Sequence, residues 1–221
     1  MTILSLEFSS AHRSVAVVRP GNSQTSAEAV DSGAGGTHAL GLVEQVLAEA
    51  KIEREQIEVI AVGLGPGSYT GIRVALSVAQ GWQLARGVKL LGVSSAECLA
   101  AQARAENMFG RVNVVIDAQR NEFYLATYEI AADGWREIAP LKILKKAEVQ
   151  SRVDGGEILI GPEVTKWFPS GRTIFPRAAA LAELAARRND FVPGEKLEPI
   201  YLRKTNFVKS PPRRPVASGP R

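Results

Sequence analysis

The stretch from Gly63 to Gly71 (GLGPGSYTG) contains the residue types that could bind a ligand. It follows an apolar run and precedes a helical pattern, so its backbone N–H groups and the positive end of a helix dipole suit a phosphate. Two nucleotide-binding motifs are nevertheless absent. Gly-x-Gly-x-x-Gly would need glycine where Ser68 or Thr70 stands, and the Walker motif would need lysine where Ile72 stands. The glycines therefore either form a phosphate loop or permit a sharp turn and close packing.

Two acidic residues stand at the ends of predicted strands, where α/β sheets place ligand-binding groups. Glu7 ends the first strand, and Asp117 ends the strand that opens the second half of the chain. Both are candidate ligand-side acids. For Asp117 the alternative is structural, because an aspartate often closes the turn that follows it.

Metal-binding and nucleophile motifs are missing from the sequence. His12 and His38 lie in different predicted elements, Cys98 is the single cysteine, and no HxxxH, HExxH, CxxC or Gly-x-Ser-x-Gly pattern occurs. We therefore predict no metal site. One cysteine allows no internal disulfide, which favours a reducing compartment. No apolar run approaches the roughly 20 residues of a membrane helix, so we expect a cytoplasmic protein without a membrane span.

Strand and helix patterns surround these residues and predict an α/β fold. Val59 to Leu64 is a continuous apolar run, as expected for a strand covered on both faces, and a helix follows it. A strand, turn, strand, strand order opens the chain and begins again at Arg111. This repeat of element order predicts an N-terminal subdomain at 1–108 and a C-terminal subdomain at 109–205, each a mixed sheet flanked by helices.

Basic residues are concentrated at the C-terminal end. The chain has 221 residues, a formal net charge of +4 and a pI near 9.3. The last nineteen residues contain Arg203, Lys204, Lys209, Arg213, Arg214 and Arg221. Such a tail either binds phosphate backbones by counterion release or is solvated, and its Pro-Pro and Gly-Pro pairs favour the second. We predict that 206–221 is a disordered, proline-rich basic tail.

Small residues recur in the helix after the glycine stretch. Gly71, Ala75 and Ala79 form one row, and Ser77 and Gly81 form a second. Glycine inside a helix costs about 1 kcal/mol relative to alanine, so it implies close packing against the protein's own sheet or against a partner. We predict a partner interface on this helix and on the helix from His38 to Lys51, with the residues Leu40, Val43, Leu47, Gly71, Ala75, Leu76, Ala79 and Trp82.

The glycine stretch resembles the signature of one particular family when the residues on either side are included. The run from Gly63 to Ala85 resembles the signature of the TsaB family, a subunit of the bacterial tRNA threonylcarbamoyladenosine (t6A) machinery. Asp117 to Tyr124 is similar to the family's DAR-x-x-E-x-Y, and Pro199 to Arg203 to its P-x-YLR. The resemblance covers the chain from Ile3 to about Arg203. It marks a glycine loop, interpreted as a vestigial phosphate site, of Gly65, Pro66, Gly67, Ser68, Tyr69, Thr70, Gly71 and Arg73.

The resemblance implies an actin-like, Hsp70-like ATPase fold of two related subdomains. TsaD, the catalytic sister subunit with the same fold, carries a metal-binding His-x-x-x-His. Ser95 and Leu99 stand at those two positions here, and a serine is a poor ligand and a leucine none. Where ATPases of this fold have Asp-Thr in the first strand, this chain has Glu7 and Phe8. We therefore predict no catalytic residue and no bound cofactor.

The resemblance also implies a partner role. The chain would bind and activate TsaD for transfer of a threonylcarbamoyl group to N6 of adenosine 37 in tRNAs that read ANN codons. The implied partners are a TsaD-like subunit, a TsaE-like ATPase, tRNA through the complex, and a second copy of the chain when it is alone. ATP would be used by the complex. The alternative is an independent M22-like peptidase or small ATPase.

Overall fold

The computed structural model describes residues 1–19, 25–33 and 38–203, so the predicted tail at 206–221 lies outside it. The described strands are β1 (Ile3–Glu7), β2 (Arg13–Val18), β3 (Thr25–Asp31), β4 (Val59–Gly63), β5 (Lys89–Val93), β6 (Gly110–Asp117), β7 (Glu122–Ala131), β8 (Gly134–Lys145), β9 (Ile158–Gly161) and β10 (Arg172–Thr173). The described helices are α1 (Ala39–Ala50), α2 (Tyr69–Arg86), α3 (Ser95–Ala105), α4 (Lys146–Asp154) and α5 (Ala178–Ala185). None of these helices is both long and apolar enough to cross a membrane.

The first sheet has the strand order β3-β2-β1-β4-β5. β1, β2 and β3 are antiparallel neighbours, whereas β1, β4 and β5 run parallel. Successive side chains of a strand point to opposite faces. Ile60 and Val62 of β4 therefore pack with α1 and α2, and Val59 and Ala61 pack with α3 and α5. Helices on both faces explain why β4 is apolar throughout.

The second sheet repeats this arrangement. Its order is β8-β7-β6-β9-β10, with β6, β7 and β8 antiparallel and β6, β9 and β10 parallel. The first strand of each half thus lies at the centre of its sheet, between its hairpin partner and a parallel strand. The predicted α/β, actin-like fold of two related subdomains with mixed sheets is confirmed.

The last helix leaves the second sheet and returns to the first. α5 packs against β1 and β2 on the first sheet. The N–H of Ala178 donates to Ser14 Oγ at 2.8 Å, and the N–H of Ala179 donates to the Glu28 carboxylate at 3.0 Å. Side chains of β2 and β3 thereby satisfy the free N–H groups at the start of the helix. The predicted C-terminal subdomain, 109–205, includes α5 because the prediction divided the chain in sequence order. The packing of α5 on the first sheet was not part of that prediction.

Candidate functional site

A cleft of about 730 Å³ lies between the two sheets and is lined by residues from both halves of the chain. The turn after β1 and the start of α2 form one wall. The β6–β7 turn, which includes Asp117, and the residues after β9 form the other wall. The predicted glycine loop reaches this cleft through Gly67, Ser68 and Tyr69.

Three backbone amides of the glycine loop are already used inside the protein. The N–H of Gly65 donates to Ser95 Oγ at 3.2 Å, and that of Ser68 donates to the Ser9 carbonyl at 2.7 Å. The N–H of Gly71 donates to Ser68 Oγ at 3.2 Å, which caps α2. Of these donors, the Gly71 N–H belongs to the first turn of α2, where a phosphate would bind. The internal hydrogen bonds support the structural alternative for the loop.

Close approach to the end of β1 explains two of the glycines. A Cβ at Gly67 would lie 2.0 Å from the carbonyl oxygen of Ser9, and a Cβ at Gly71 would lie 2.0 Å from that of Phe8. Both distances are far below van der Waals contact. Glycine is needed at both positions because the backbone after β1 packs directly on the loop and on α2.

Glu7 is fully buried and does not line the cleft. Its carboxylate accepts hydrogen bonds from the Ser9 N–H at 2.8 Å and from Ser95 Oγ at 2.9 Å. It also occupies the space where a side chain on Gly63 would lie. Burial raises the pKa of Glu7, and the hydrogen bonds from Ser9 and Ser95 oppose that rise. Glu7 thus joins β1 to α3 from within and is not placed to hold a ligand.

The buried carboxyl predicts a pH dependence of stability. Because its pKa is raised in the folded protein, Glu7 favours folding below the ordinary glutamate pKa of 4.5, and this stability is lost as the pH rises through the folded pKa. The glutamine side chain of the variant Glu7→Gln can still accept from Ser9 and can donate to Ser95, but it does not ionise. We expect the unfolding free energy of the wild type, minus that of Glu7→Gln, to fall as the pH rises through this window in urea titrations. A pH-independent difference would contradict the assignment.

The other candidate ligand groups also contact residues of the protein itself. Asp117 accepts hydrogen bonds from the backbone and side-chain amides of Gln119 at 2.7 and 2.9 Å, which supports the turn-closing alternative. The His12 ring stacks on the Phe175 ring, with the ring centres 3.6 Å apart. Leu99 is fully buried. Within the part of the chain that the structure describes, no group of three His, Cys, Asp or Glu residues could hold a metal ion.

The C-terminal segment, Glu198 to Arg203, joins the two walls of the cleft. The N–H of Ile200 donates to the Leu64 carbonyl at 2.9 Å, which ties the segment to the end of β4. Arg203 donates to the Ala118 carbonyl at 2.9 Å and to the Glu122 carboxylate at 2.6 Å, which ties it to the β6–β7 turn. The family motifs at Asp117 to Tyr124 and Pro199 to Arg203 marked both ends of this bridge, but not their contact, because the partners lie more than eighty positions apart.

Comparison with known proteins places the chain in a family. The family described as "TsaD: tRNA N6-adenosine threonylcarbamoyltransferase" matches residues 36–191. The chain belongs to the TsaD family. Within it the chain is TsaB-like, since TsaB of Escherichia coli is 28% identical over 78% of this chain and 82% of its own length. A YeaZ structure from Pseudomonas aeruginosa has a TM-score of 0.78 at 27% identity and covers 91% of this chain and 99% of its own. An uncharacterized Mycobacterium bovis protein is 30% identical over 72% and 70% of the two chains.

Most of the predicted interface residues of this TsaB-like chain are buried in its interior. Gly71, Ala75 and Ala79 are buried against β1 and β4, so this row of small residues serves internal packing. The other buried members of the predicted interface are Val43, Leu47 and Leu76. These six residues pack inside the chain, although Val43 also lines a groove between α1 and α2. Leu40 is exposed and Trp82 is half-buried, so these two remain available.

The second small row of α2 faces outward. Ser77, Gly81 and Leu84 lie on one side of the helix and are exposed, and Leu84 has 90% of its surface accessible. On another side of α2, Trp82 and Leu40 of α1 line a groove of about 390 Å³ between the two helices. We call the exposed row of Ser77, Gly81 and Leu84 the docking face. Its signal in the sequence was the Ser77 and Gly81 row, whereas the predicted interface residues include the row of Gly71, Ala75 and Ala79, which is buried.

Proposed function

We propose that this TsaB-like chain is a non-catalytic subunit of t6A biosynthesis that binds and activates a TsaD-like subunit. The partner would then transfer the threonylcarbamoyl group to N6 of adenosine 37 in tRNAs that read ANN codons. The observation that carries the proposal is the docking face, an apolar and small-residue surface on a TsaD-family fold. Similarity to TsaB supports a TsaD-like subunit as the partner, because E. coli TsaB is named as a tRNA threonylcarbamoyladenosine biosynthesis protein.

The shape of the docking face suits a helix of the partner. A Cβ at Gly81 would have no atom outside its own helix within 4 Å in the described structure. The glycine therefore lowers helix stability without a packing benefit inside this chain. Leu84 is 90% exposed and lies on the same side of α2 as Gly81. A helix crossing at Gly81 would cover Leu84 and approach α2 closely.

The buried polar groups support a non-catalytic role. Ser95 and Leu99 occupy the positions of the metal-binding histidines that the family resemblance implies, and both are buried. Ser95 Oγ bonds Glu7 and the loop amide of Gly65. These contacts stabilise the junction of β1, the loop and α3. On this proposal, ATP is used by the complex rather than by this chain.

Further partners follow from the same role. A TsaE-like ATPase would join the complex, and tRNA would be bound in it. A second copy of the chain would cover the docking face in the absence of the TsaD-like subunit, because one apolar face serves either occupant. The proposed place of this assembly is the cytoplasm.

Reconstitution tests the function. A purified TsaD-like subunit, with a TsaE-like ATPase and threonylcarbamoyl adenylate, should modify tRNA only slowly alone and much faster when this chain is added. Mass spectrometry of digested tRNA measures the modified nucleoside, and light scattering should show the copies of this chain separating as the heterodimer forms. Equal modification with and without the chain would refute the proposal, and so would ATP or peptide turnover by the chain alone.

A further inference from the structure

The exposed side of α2 extends well beyond the docking face. Tyr69, Arg73, Ser77 and Gly81 recur every fourth residue, so they form one row along the helix, and all four are exposed. Leu84 lies on the same side, three residues after Gly81. Tyr69 is about 18 Å from Gly81 along the helix axis. The docking face is therefore the C-terminal part of a longer exposed surface that begins at Tyr69.

The C-terminal segment adds a second aromatic ring to the start of this surface. The rings of Tyr201 and Tyr69 stack with their centres 5.5 Å apart and their planes 26° apart, yet the two residues remain 44% and 58% exposed. On either side of Tyr201, the N–H of Ile200 and the guanidinium of Arg203 donate hydrogen bonds to opposite walls of the cleft. The ring pair is thus held in place in the free chain while it is still open to solvent.

Arg73 gives this surface a positive charge that the described protein does not neutralise. Its guanidinium lies 5.3 Å from the centre of the Tyr69 ring and donates to the Tyr69 hydroxyl at 3.2 Å. The sequence of α2 contains no acidic residue, and its other arginine, Arg86, pairs with Glu55 at 3.3 Å. Arg73 forms no ion pair within residues 1–19, 25–33 and 38–203. Its charge is available to a carboxylate on a partner.

The composition of this surface is that of a protein interface. Single exposed apolar residues are common on protein surfaces, but tyrosine and arginine are enriched among the residues that dominate binding energies. A ring pair that is already held in place also loses little conformational entropy when a partner covers it. Tyr69, Arg73 and Tyr201 therefore have the chemistry and the rigidity of an anchor, and they continue the row that contains Gly81.

We propose that Tyr69, Arg73 and Tyr201, together called the aromatic anchor, bind the TsaD-like subunit along with the docking face, and that this partner presents a carboxylate to Arg73. The inference rests on the proposed function, since it takes the TsaD-like subunit as the occupant. It adds the C-terminal segment to the interface. Through Tyr201 the partner would contact the part of the chain that joins the two walls of the cleft.

Titration calorimetry of the full chain with the TsaD-like subunit tests the ring pair. Tyr201→Ala removes one ring and should raise the dissociation constant roughly 30-fold, as the loss of an interface hot spot does. Tyr201→Phe keeps the ring and should bind like the wild type. Phe109→Ala is the matched control, because Phe109 is also aromatic and 44% exposed but lies between α3 and β6. It should leave the affinity unchanged, and urea titrations show that each variant is folded.

Arg73→Gln tests the charge through the kinetics of association. The variant should associate more slowly than the wild type, and its association rate should depend less on salt, because attraction to the carboxylate of the partner is lost. Arg136→Gln removes the same charge at an exposed site on β8 and should change neither property. Stopped-flow mixing over a series of salt concentrations measures both.

Wild-type affinity of Tyr201→Ala, or wild-type association of Arg73→Gln at every salt concentration, would overturn the proposal. Gly81→Arg tests the docking face separately. If Gly81→Arg weakens binding and the anchor variants do not, the TsaD-like subunit binds α2 without the C-terminal segment, and only this inference fails. If none of the three variants weakens binding, the docking face fails as well, and with it the observation that carries the proposed function.

Discussion

Replacing Gly71 by alanine should lower the free energy of unfolding by about 3 kcal/mol, the upper part of the range for overpacking a core. The added Cβ would lie 2.0 Å from the carbonyl oxygen of Phe8. That oxygen belongs to the backbone, and the Phe8 side chain is fully buried, so neither group can rotate away. The urea midpoint should therefore fall at an unchanged m value.

Gly81→Ala is the matched control, because it makes the same change in the same helix. No atom outside α2 lies near the added methyl group in the described structure. Alanine favours a helix over glycine by about 1 kcal/mol, so this variant should be more stable than the wild type. Opposite signs for the two substitutions would establish that one glycine serves packing and the other does not. Equal destabilisation would contradict that distinction.

The two rows of small residues show how far the sequence could be interpreted. Each residue of an α-helix turns the chain by about 100°, so Ala75 and Ser77 lie on opposite sides of α2. The spacing alone predicted the helix and both rows, but it did not decide which row faces the sheet. The large apolar residues next to the first row show that this row faces the sheet, since Ile72 and Leu76 lie beside Ala75 and Ala79 and are buried with them. That periodicity was present in the sequence and favoured internal packing.

Glu7 illustrates what local patterns could not show. Its position at the end of β1 predicted a ligand group, because the ends of parallel strands meet at the ligand-binding edge of a sheet. Its actual partner, Ser95, lies 88 positions away and reaches it only because β1, β4 and α3 come together. A carboxylate with such partners is a structural group. Long-range hydrogen bonds of this kind leave no periodic signal in the sequence.

The repeated element order, unlike the position of Glu7, led to a correct prediction, that of two related sheets. Strand patterns are local, so they survive in the sequence. The return of α5 to the first sheet is not local. It depends on Ser14 and Glu28, which receive the first N–H groups of the helix from strands far earlier in the chain. Sequence order alone therefore assigned the helix to the second subdomain.

Replacing Gly81 by arginine should weaken binding of the TsaD-like subunit roughly 100-fold while the isolated chain stays folded. In the free chain the arginine would extend into solvent from the middle of α2, where nothing outside the helix lies within 4 Å in the described structure. In the complex it would lie where the partner helix approaches most closely. An overpacking cost of about 3 kcal/mol raises the dissociation constant roughly 100-fold. Titration calorimetry measures that change.

Ala147→Arg provides the control for this experiment, since Ala147 is exposed on α4 in the other subdomain. It adds the same charge and nearly the same volume to a helix surface, and it should leave both the affinity and the unfolding midpoint unchanged. The decisive comparison is between binding and stability. If Gly81→Arg binds as tightly as the wild type, the partner does not contact this side of α2. If it unfolds, the open space around Gly81 is not what the structure indicates. Weaker binding with a native unfolding midpoint is the outcome that a docking face on α2 requires.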